Sequence, residues 1–143
     1  MALSDGQKAE WLSSVPLFAG ISDDSMARLA AVTGEQDFAA GQFIVRQGQV
    51  GTGLYVIISG SVDVLHGADD VVATLKPGEF FGELSVIDQQ PRNASVQAKE
   101  STAVLAVASW DLIALLETDQ ALALNLIKVL VARVRSTGDL HRH

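Results

Sequence analysis

The stretch of chain that decides the fold spans residues 80–96 and reads Phe80-Phe81-Gly82-Glu83-Leu84-Ser85-Val86-Ile87-Asp88-Gln89-Gln90-Pro91-Arg92-Asn93-Ala94-Ser95-Val96. It interrupts a series of short segments in which apolar and polar residues alternate, the pattern typical of half-buried strands. From Gly82 to Ile87 the alternation breaks, which favours a short helix set between strands. Because the first turn of a helix carries unpaired N–H groups, this stretch predicts an anion site.

Three residues in the stretch indicate which anion it suits. Gly82 has no Cβ, so a ligand can approach its backbone closely. Arg92 follows Glu83 by nine residues, and its guanidinium can grip two phosphate oxygens at once. Glu83 would repel a bare phosphate, but it suits a ligand that also offers a hydroxyl donor, such as a ribose. Taken singly, each residue also has a structural interpretation: a turn glycine, a solvated acid, and an arginine paired with Glu83 or Asp88.

Short strands separated by glycine-containing turns lie on both sides of this stretch, from about residue 35 to residue 108. Leu54, Val56 and Ile58 share one face of a strand, and Val62 and Val64 form the next. Ser95 alternates with Ala94 and Val96, so it is either a ligand contact or simply part of the polar face of a strand. Seven or eight such strands predict an antiparallel sandwich or jelly-roll barrel.

Helices are predicted at both ends of the chain. The first dozen residues suit a loosely held helix anchored by Trp11 and Leu12, and Ser22 with two following aspartates predicts an N-cap. Ser109 is expected to cap a helix after the strands, and a longer helix runs from about residue 119 to a stop at Gly138. We therefore predict one mainly β domain with flanking helices, an antiparallel double-stranded β-helix over 1–143, divided into a helical part (1–34), a β-roll (35–108) and closing helices (109–138).

Composition limits the class of protein. The chain has 143 residues, of which 48% are hydrophobic and none is cysteine, so it can bury a core and has no disulfide or thiolate chemistry. Its net charge of −7 predicts repulsion from nucleic acid and anionic lipid. We see neither a secretory signal nor an apolar run of membrane-spanning length, which makes a cytoplasmic location the expectation.

Phe-Gly-Glu-Leu-Ser at 81–85, followed by Pro-Arg-Asn-Ala-Ser-Val at 91–96, resembles the phosphate-binding cassette of the cyclic-nucleotide-binding domain family. Catabolite activator protein and the regulatory subunits of protein kinase A belong to that family. The likeness extends from about residue 14, through Val15-Pro16-Leu17-Phe18 and the glycines at 41, 48 and 60, to the closing helix pair. It implies a regulatory module that binds a 3′,5′-cyclic nucleotide, with cyclic AMP favoured over cyclic GMP, and that uses no metal or cofactor.

The resemblance implies a role for each matching residue. Gly82 would donate its amide, Glu83 would accept from the ribose 2′-hydroxyl, and Arg92 would pair with the cyclic phosphate. Ser85 lies where the family has a small residue near the ribose. Asn93 would donate its amide too, but its side chain departs from the usual alanine, serine or threonine and leaves the base preference open. The implied ligand set comprises Gly82, Glu83, Leu84, Ser85, Arg92, Asn93, Ala94, Ser95, Arg133 and Thr137.

Arg133 and Thr137 enter that set because the family closes its pocket with the last helix. They follow Leu126 and Leu130 on one stripe at helical spacing. The alternative interpretation is an exposed polar pair. The same helix, between Leu122 and Val134, also predicts a possible homodimer.

Two further functions compete with the sensory one. A domain that has lost its ligand could dock a partner through its final helices. A cupin-like enzyme would need histidine ligands inside the strands, and His66, in a predicted turn, does not provide them. No nucleophile–base pair is seen, so we predict no enzyme. Because the sequence ends at His143, soon after the closing helix, we expect no helix-turn-helix and no direct DNA contact, and the partner would be an effector protein.

Overall fold

The computed structural model describes residues 2–49, 53–82 and 94–141, except for the side chains of residues 133 and 136–141. Its N-terminal part contains α1 (Asp5–Ser13), a 3-10 turn (Pro16–Phe18) and α2 (Asp23–Val32). The strands are β1 (Gly34–Phe38), β2 (Phe43–Val45), β3 (Gly53–Ser59), β4 (Val62–His66), β5 (Asp70–Leu75), β6 (Phe80–Phe81), β7 (Ser95–Ala98) and β8 (Thr102–Ala108). The chain then forms α3 (Ser109–Thr118) and α4 (Gln120–His141).

Within the described residues the strands form two sheets, ordered β1-β8-β3-β6 and β2-β7-β4-β5. All the recorded pairings are antiparallel. Strands distant in sequence lie side by side, as β1 pairs with β8 and β2 with β7. The mainly β fold with flanking helices, predicted from the alternating pattern, is therefore confirmed.

The central pair β3 and β8 buries both of its faces. On one face Leu54 and Val56 pair with Val107 and Leu105, and these side chains pack against the helices. On the other face Ile57 pairs with Val104 inside the roll. Successive strand residues point to opposite faces, so one pair of strands serves both hydrophobic cores.

The core inside the roll lies between the two sheets. Its buried members are Val45, Ile57, Val62, Phe81, Val96 and Val104. The larger helix-side core includes the fully buried Leu12, which confirms that residue as an anchor of the first helix. Ser22 caps α2 as predicted, because its hydroxyl accepts from the Ser25 N–H at 3.1 Å.

Two polar side chains tie the start of α4 to the N-terminal helices. Asp119 caps α4 by accepting from the Leu122 N–H at 3.0 Å, and its second oxygen accepts from the Ser22 N–H at 3.4 Å. Asn125 donates to the carbonyls of Leu17, at 3.1 Å, and Ala19. These bonds fix the first turns of α4 against elements that lie about a hundred residues earlier in the chain.

Two predicted helix boundaries are wrong. Ser109 is the first residue of α3 and is buried, while the capping position belongs to Ala108, which makes no side-chain cap bond. Because β8 runs directly into α3, no turn is left in which Ser109 could act as a cap. Helix α4 continues through Gly138 to His141, since a glycine inside a helix costs only about 1 kcal/mol and does not by itself end it.

None of the helices in the described part of the chain is both long and apolar enough to cross a membrane.

The hydrogen bonds to Asp119 make stability depend on pH. The side chain of Ser25 and the N–H of Leu122 lower the pKa of Asp119 from its usual value of 3.8. Because the folded-state pKa lies below the unfolded one, this contribution to stability is complete above about pH 5 and is lost as the pH falls through the folded-state pKa. The free energy of unfolding of Asp119→Asn, measured in urea, should therefore differ most from that of the wild type at neutral pH. The difference should shrink towards pH 3.

Asp119→Ala provides the comparison for this experiment. It removes the acceptor for the Leu122 N–H at every pH, so it should lower the free energy of unfolding by about 0.5–2 kcal/mol at neutral pH. A gap between wild type and Asp119→Asn that stays constant from pH 7 to pH 3 would show that the carboxylate charge contributes nothing.

Candidate functional site

The described ends of the 80–96 stretch lie on different sheets. Phe81 ends β6, the edge strand of one sheet, and Gly82 follows it, whereas Ala94 precedes β7, an inner strand of the other sheet. Five predicted ligand residues lie outside the described residues, namely Glu83, Leu84, Ser85, Arg92 and Asn93.

The upstream end of the stretch is held by backbone bonds and by an aromatic stack. The Ile57 N–H donates to the Glu79 carbonyl at 3.0 Å, and the Gly78 N–H donates to the Ile57 carbonyl at 2.8 Å. The ring of Phe81 stacks on Tyr55, with centroids 5.2 Å apart. Gly82 follows with a φ of 98°, a backbone conformation that favours glycine. The sequence assigned Gly82 for close ligand approach, and the structure adds a requirement of backbone geometry.

The downstream end is held by Ser95. This residue is buried, and its contact with a ligand stays a prediction. Its hydroxyl accepts from the backbone N–H of Gln47 at 2.8 Å. Val96, the next residue of β7, packs inside the roll, so Ser95 points to the other face of the strand. The hydroxyl of Ser95 thus ties the first residue of β7 to the turn after β2.

The interior of the roll is open beside the β4–β5 hairpin. Ala73 pairs with Val64, which packs against the interior core, so Ala73 faces inward as well. Ala73 is nevertheless exposed and Val64 is only half-buried. This apolar opening was not predicted, because alanine in an alternating strand gives no signal of a site. The inward face of Val64 was the only indication the sequence offered.

The predicted lid residues lie on α4, where Leu126 is buried and Leu130 is partly buried against the helix-side core. Arg133 and Thr137 continue the same helix, as their spacing predicted, but their side chains are outside the description. Their contact with a ligand stays a prediction.

Metal chemistry gains no support from the described part of the chain. No three histidine, aspartate or glutamate side chains come together there in a way that could hold an ion.

A known family of domains matches the roll and the helix that follows it. The sequence model of the cyclic nucleotide-binding domain matches residues 35–119, which begin in β1 and end directly before α4. The match thus includes both sheets, the whole of the 80–96 stretch and α3.

Three similar proteins illustrate the likeness. The cyclic AMP receptor protein of Thermus thermophilus is 35% identical over 84% of this chain, which spans 57% of that protein. The cAMP-dependent protein kinase regulatory subunit of Emericella nidulans is 34% identical over 66% of this chain, which spans 23% of the subunit. The N-terminal domain of a transcriptional regulator from Streptomyces coelicolor superposes with a TM-score of 0.74 at 32% identity, covering 92% of this chain and 94% of that domain.

Proposed function

The chain belongs to the cyclic nucleotide-binding domain family, and we propose that it binds a 3′,5′-cyclic nucleotide as a regulatory module, with cyclic AMP preferred over cyclic GMP. One observation carries the proposal. The described ends of the stretch that holds Gly82, Glu83 and Arg92 lie on two different sheets, at β6 and β7, and the interior core of the roll lies between these sheets. The proposal assigns no catalytic step and no cofactor.

In this proposal the phosphate and the ribose lie against the 80–96 stretch. Arg92 pairs with the cyclic phosphate, and Glu83 accepts from the ribose 2′-hydroxyl. The left-handed backbone at Gly82 turns the chain away from β6 and lets its N–H reach the ligand. Ser85, Asn93 and the amides around them complete the set. The base then lies towards the apolar opening formed by Val64 and Ala73, which favours a stacked or apolar contact.

Ligand binding is coupled to the helices through the strands. Because β8 runs into α3 without a linker, a shift of the roll is transmitted directly to α3. The first turns of α4 are held by Asp119 and Asn125, so the part free to respond begins near Ile127, which is exposed. A ligand that binds more tightly when the part of α4 after Ile127 is in one of two positions shifts the equilibrium between those positions, typically by about 1–3 kcal/mol.

The partner surface that we propose is the exposed stripe of α4. It consists of Leu124, Ile127, Val131 and Val134, all at least 45% exposed. Their spacing of three, four and three residues is that of a coiled-coil seam, which a second copy of the same helix complements. The homodimer surface was predicted to run from Leu122 to Val134. Because Leu122 is fully buried in the helix-side core, the surface that we propose begins at Leu124 instead.

The curated relatives compared above are a receptor protein and a kinase regulatory subunit, so the family serves more than one kind of effector. For this chain the net charge of −7 favours an effector protein over nucleic acid. A ligand-free interaction module is the second candidate, and the exposed α4 stripe is the observation that favours it.

Arg92→Ala tests the phosphate contact. Loss of the bidentate guanidinium should weaken cyclic AMP binding at least about tenfold, or about 1.4 kcal/mol, measured by isothermal titration on the folded variant. Arg92→Lys keeps the positive charge but cannot bind two phosphate oxygens at once, so its affinity should lie between those of the wild type and Arg92→Ala. If a folded Arg92→Ala variant binds cyclic AMP with unchanged affinity, Arg92 does not contact the phosphate. If the wild type gives no heat of binding, the ligand-free interaction module is favoured instead.

Ala73→Phe tests the position of the base. A phenyl ring at this inward position fills the opening, so we expect cyclic AMP affinity to fall at least about tenfold, the scale of 1.4 kcal/mol or more, with the melting temperature retained. Thr74→Phe is the matched control, because Thr74 is exposed, pairs with Asp63 in the regular part of the same ladder and therefore points to the face opposite to that of Ala73. Equal losses in the two variants would contradict the assignment.

Val131→Asp tests the α4 seam. A charge in the middle of the stripe should convert a dimer to monomer, measured by sedimentation equilibrium with and without cyclic AMP. Ala132→Asp introduces the same charge at an exposed position outside the stripe and should leave the dimer intact. A wild type that stays monomeric at high concentration would assign the stripe to an effector instead.

A further inference from the structure

A groove lies between α2 and α3, in the helical part of the molecule. Its volume is about 170 Å³, and two of its lining residues, Leu29 and Leu115, are buried members of the helix-side core. The other lining residues are Arg28, Val32, Asp111 and Ala114. An apolar cavity of about 150 Å³ holds a benzene molecule, so this groove has room for one large apolar side chain.

Two large apolar side chains on the same helices are exposed. Val32, the last residue of α2, is 49% exposed, and Trp110, in the first turn of α3, is 67% exposed. Trp110 precedes Ala114 by four residues, so these two side chains are neighbours on the surface of α3. Tryptophan is among the residues that contribute most to binding energy in protein interfaces. The groove and its border therefore have the composition of a docking surface.

The charge of the two helices is negative. Arg28 forms an ion pair with Asp24 at 3.4 Å, so its positive charge is compensated. Helices α2 and α3 together carry four acidic residues and one arginine, which gives a net charge of −3. A surface of this sign attracts a basic partner and repels nucleic acid and anionic lipid.

We propose that the α2–α3 groove binds a basic amphipathic helix of an effector protein. The groove between two packed helices receives the side-chain ridge of a third, and one large apolar side chain of that helix lies between Val32 and Ala114. Lysines or arginines of the bound helix face Asp24 and Asp111, and Trp110 packs beside it. This inference goes beyond nucleotide binding, because it assigns a surface of the helical part and does not depend on the 80–96 stretch.

The probe for this groove is a set of peptides selected on the full chain from a helix-constrained random library without tryptophan. Selected peptides should combine large apolar residues with a surplus of lysine and arginine. Trp11→Phe leaves Trp110 as the only tryptophan, so fluorescence emission should shift to shorter wavelength when a peptide covers it. Raising the salt concentration from about 0.05 to about 0.5 M should weaken binding several-fold, because the charges involved are exposed.

Val32→Lys is the decisive variant. It removes an apolar contact and adds a charge that repels a basic helix, so peptide affinity should fall at least about tenfold. Lysine in the last turn of a helix interacts favourably with the helix dipole, so the fold should be retained. Val71→Lys makes the same exchange on β5, where Val71 is 51% exposed, and should bind the peptides as the wild type does.

Three results would overturn the proposal. The first is equal peptide affinity of Val32→Lys and the wild type, or a library that yields no peptide sensitive to this change. The second is binding that is lost in Val131→Lys and kept in Val32→Lys, which would assign the peptides to the exposed stripe of α4. The third is conversion of a wild-type dimer to monomer by Val32→Lys, since a second copy of the chain would then occupy the groove. Cyclic AMP binding is measured separately with Arg92→Ala, so failure of either proposal leaves the other standing.

Discussion

The paired strands β3 and β8 have to bury apolar side chains on both faces, and the rest of the molecule is arranged around that requirement. Leu54, Val56, Leu105 and Val107 cannot be left in water, so helices from both ends of the chain cover them. Ile57 and Val104 point the other way and require the second sheet. Each cross-strand pair of β3 and β8 contributes to one of the two cores. The register of these two strands therefore determines both which side chains face the helices and which face the interior of the roll.

The same pair of strands links the 80–96 stretch to the helices, which is the connection that the proposed regulatory function requires. The edge strand β6 pairs with β3, and Phe81 stacks on Tyr55 of that strand, so the upstream end of the 80–96 stretch is attached to the central pair. The β8 strand leads into α3 at its other end. Packed strands therefore connect Gly82 to α3, while hydrogen bonds of Asp119 and Asn125 hold the first turns of α4.

Local patterns in the sequence predicted most of the elements. The face shared by Leu54, Val56 and Ile58, the cap at Ser22 and the turn glycines are all signals that extend over a few residues, and the structure confirms them. The wrong predictions share a cause. Ser109 and Gly138 have the usual residue types for helix ends, but the neighbouring β8 strand and the continuing helix override a preference of about 1 kcal/mol.

The sequence by itself determined the class of fold, because strand periodicity and glycine turns act locally, and it singled out Gly82, Glu83 and Arg92 by their chemistry and spacing. The long-range contacts of the described residues follow from the tertiary structure alone. The bond between Gln47 and the buried Ser95, and the anchoring of α4 by Asp119 and Asn125, join residues from 48 to 108 positions apart. No local pattern specifies such partners, because they are selected by how two hydrophobic cores pack against one pair of strands.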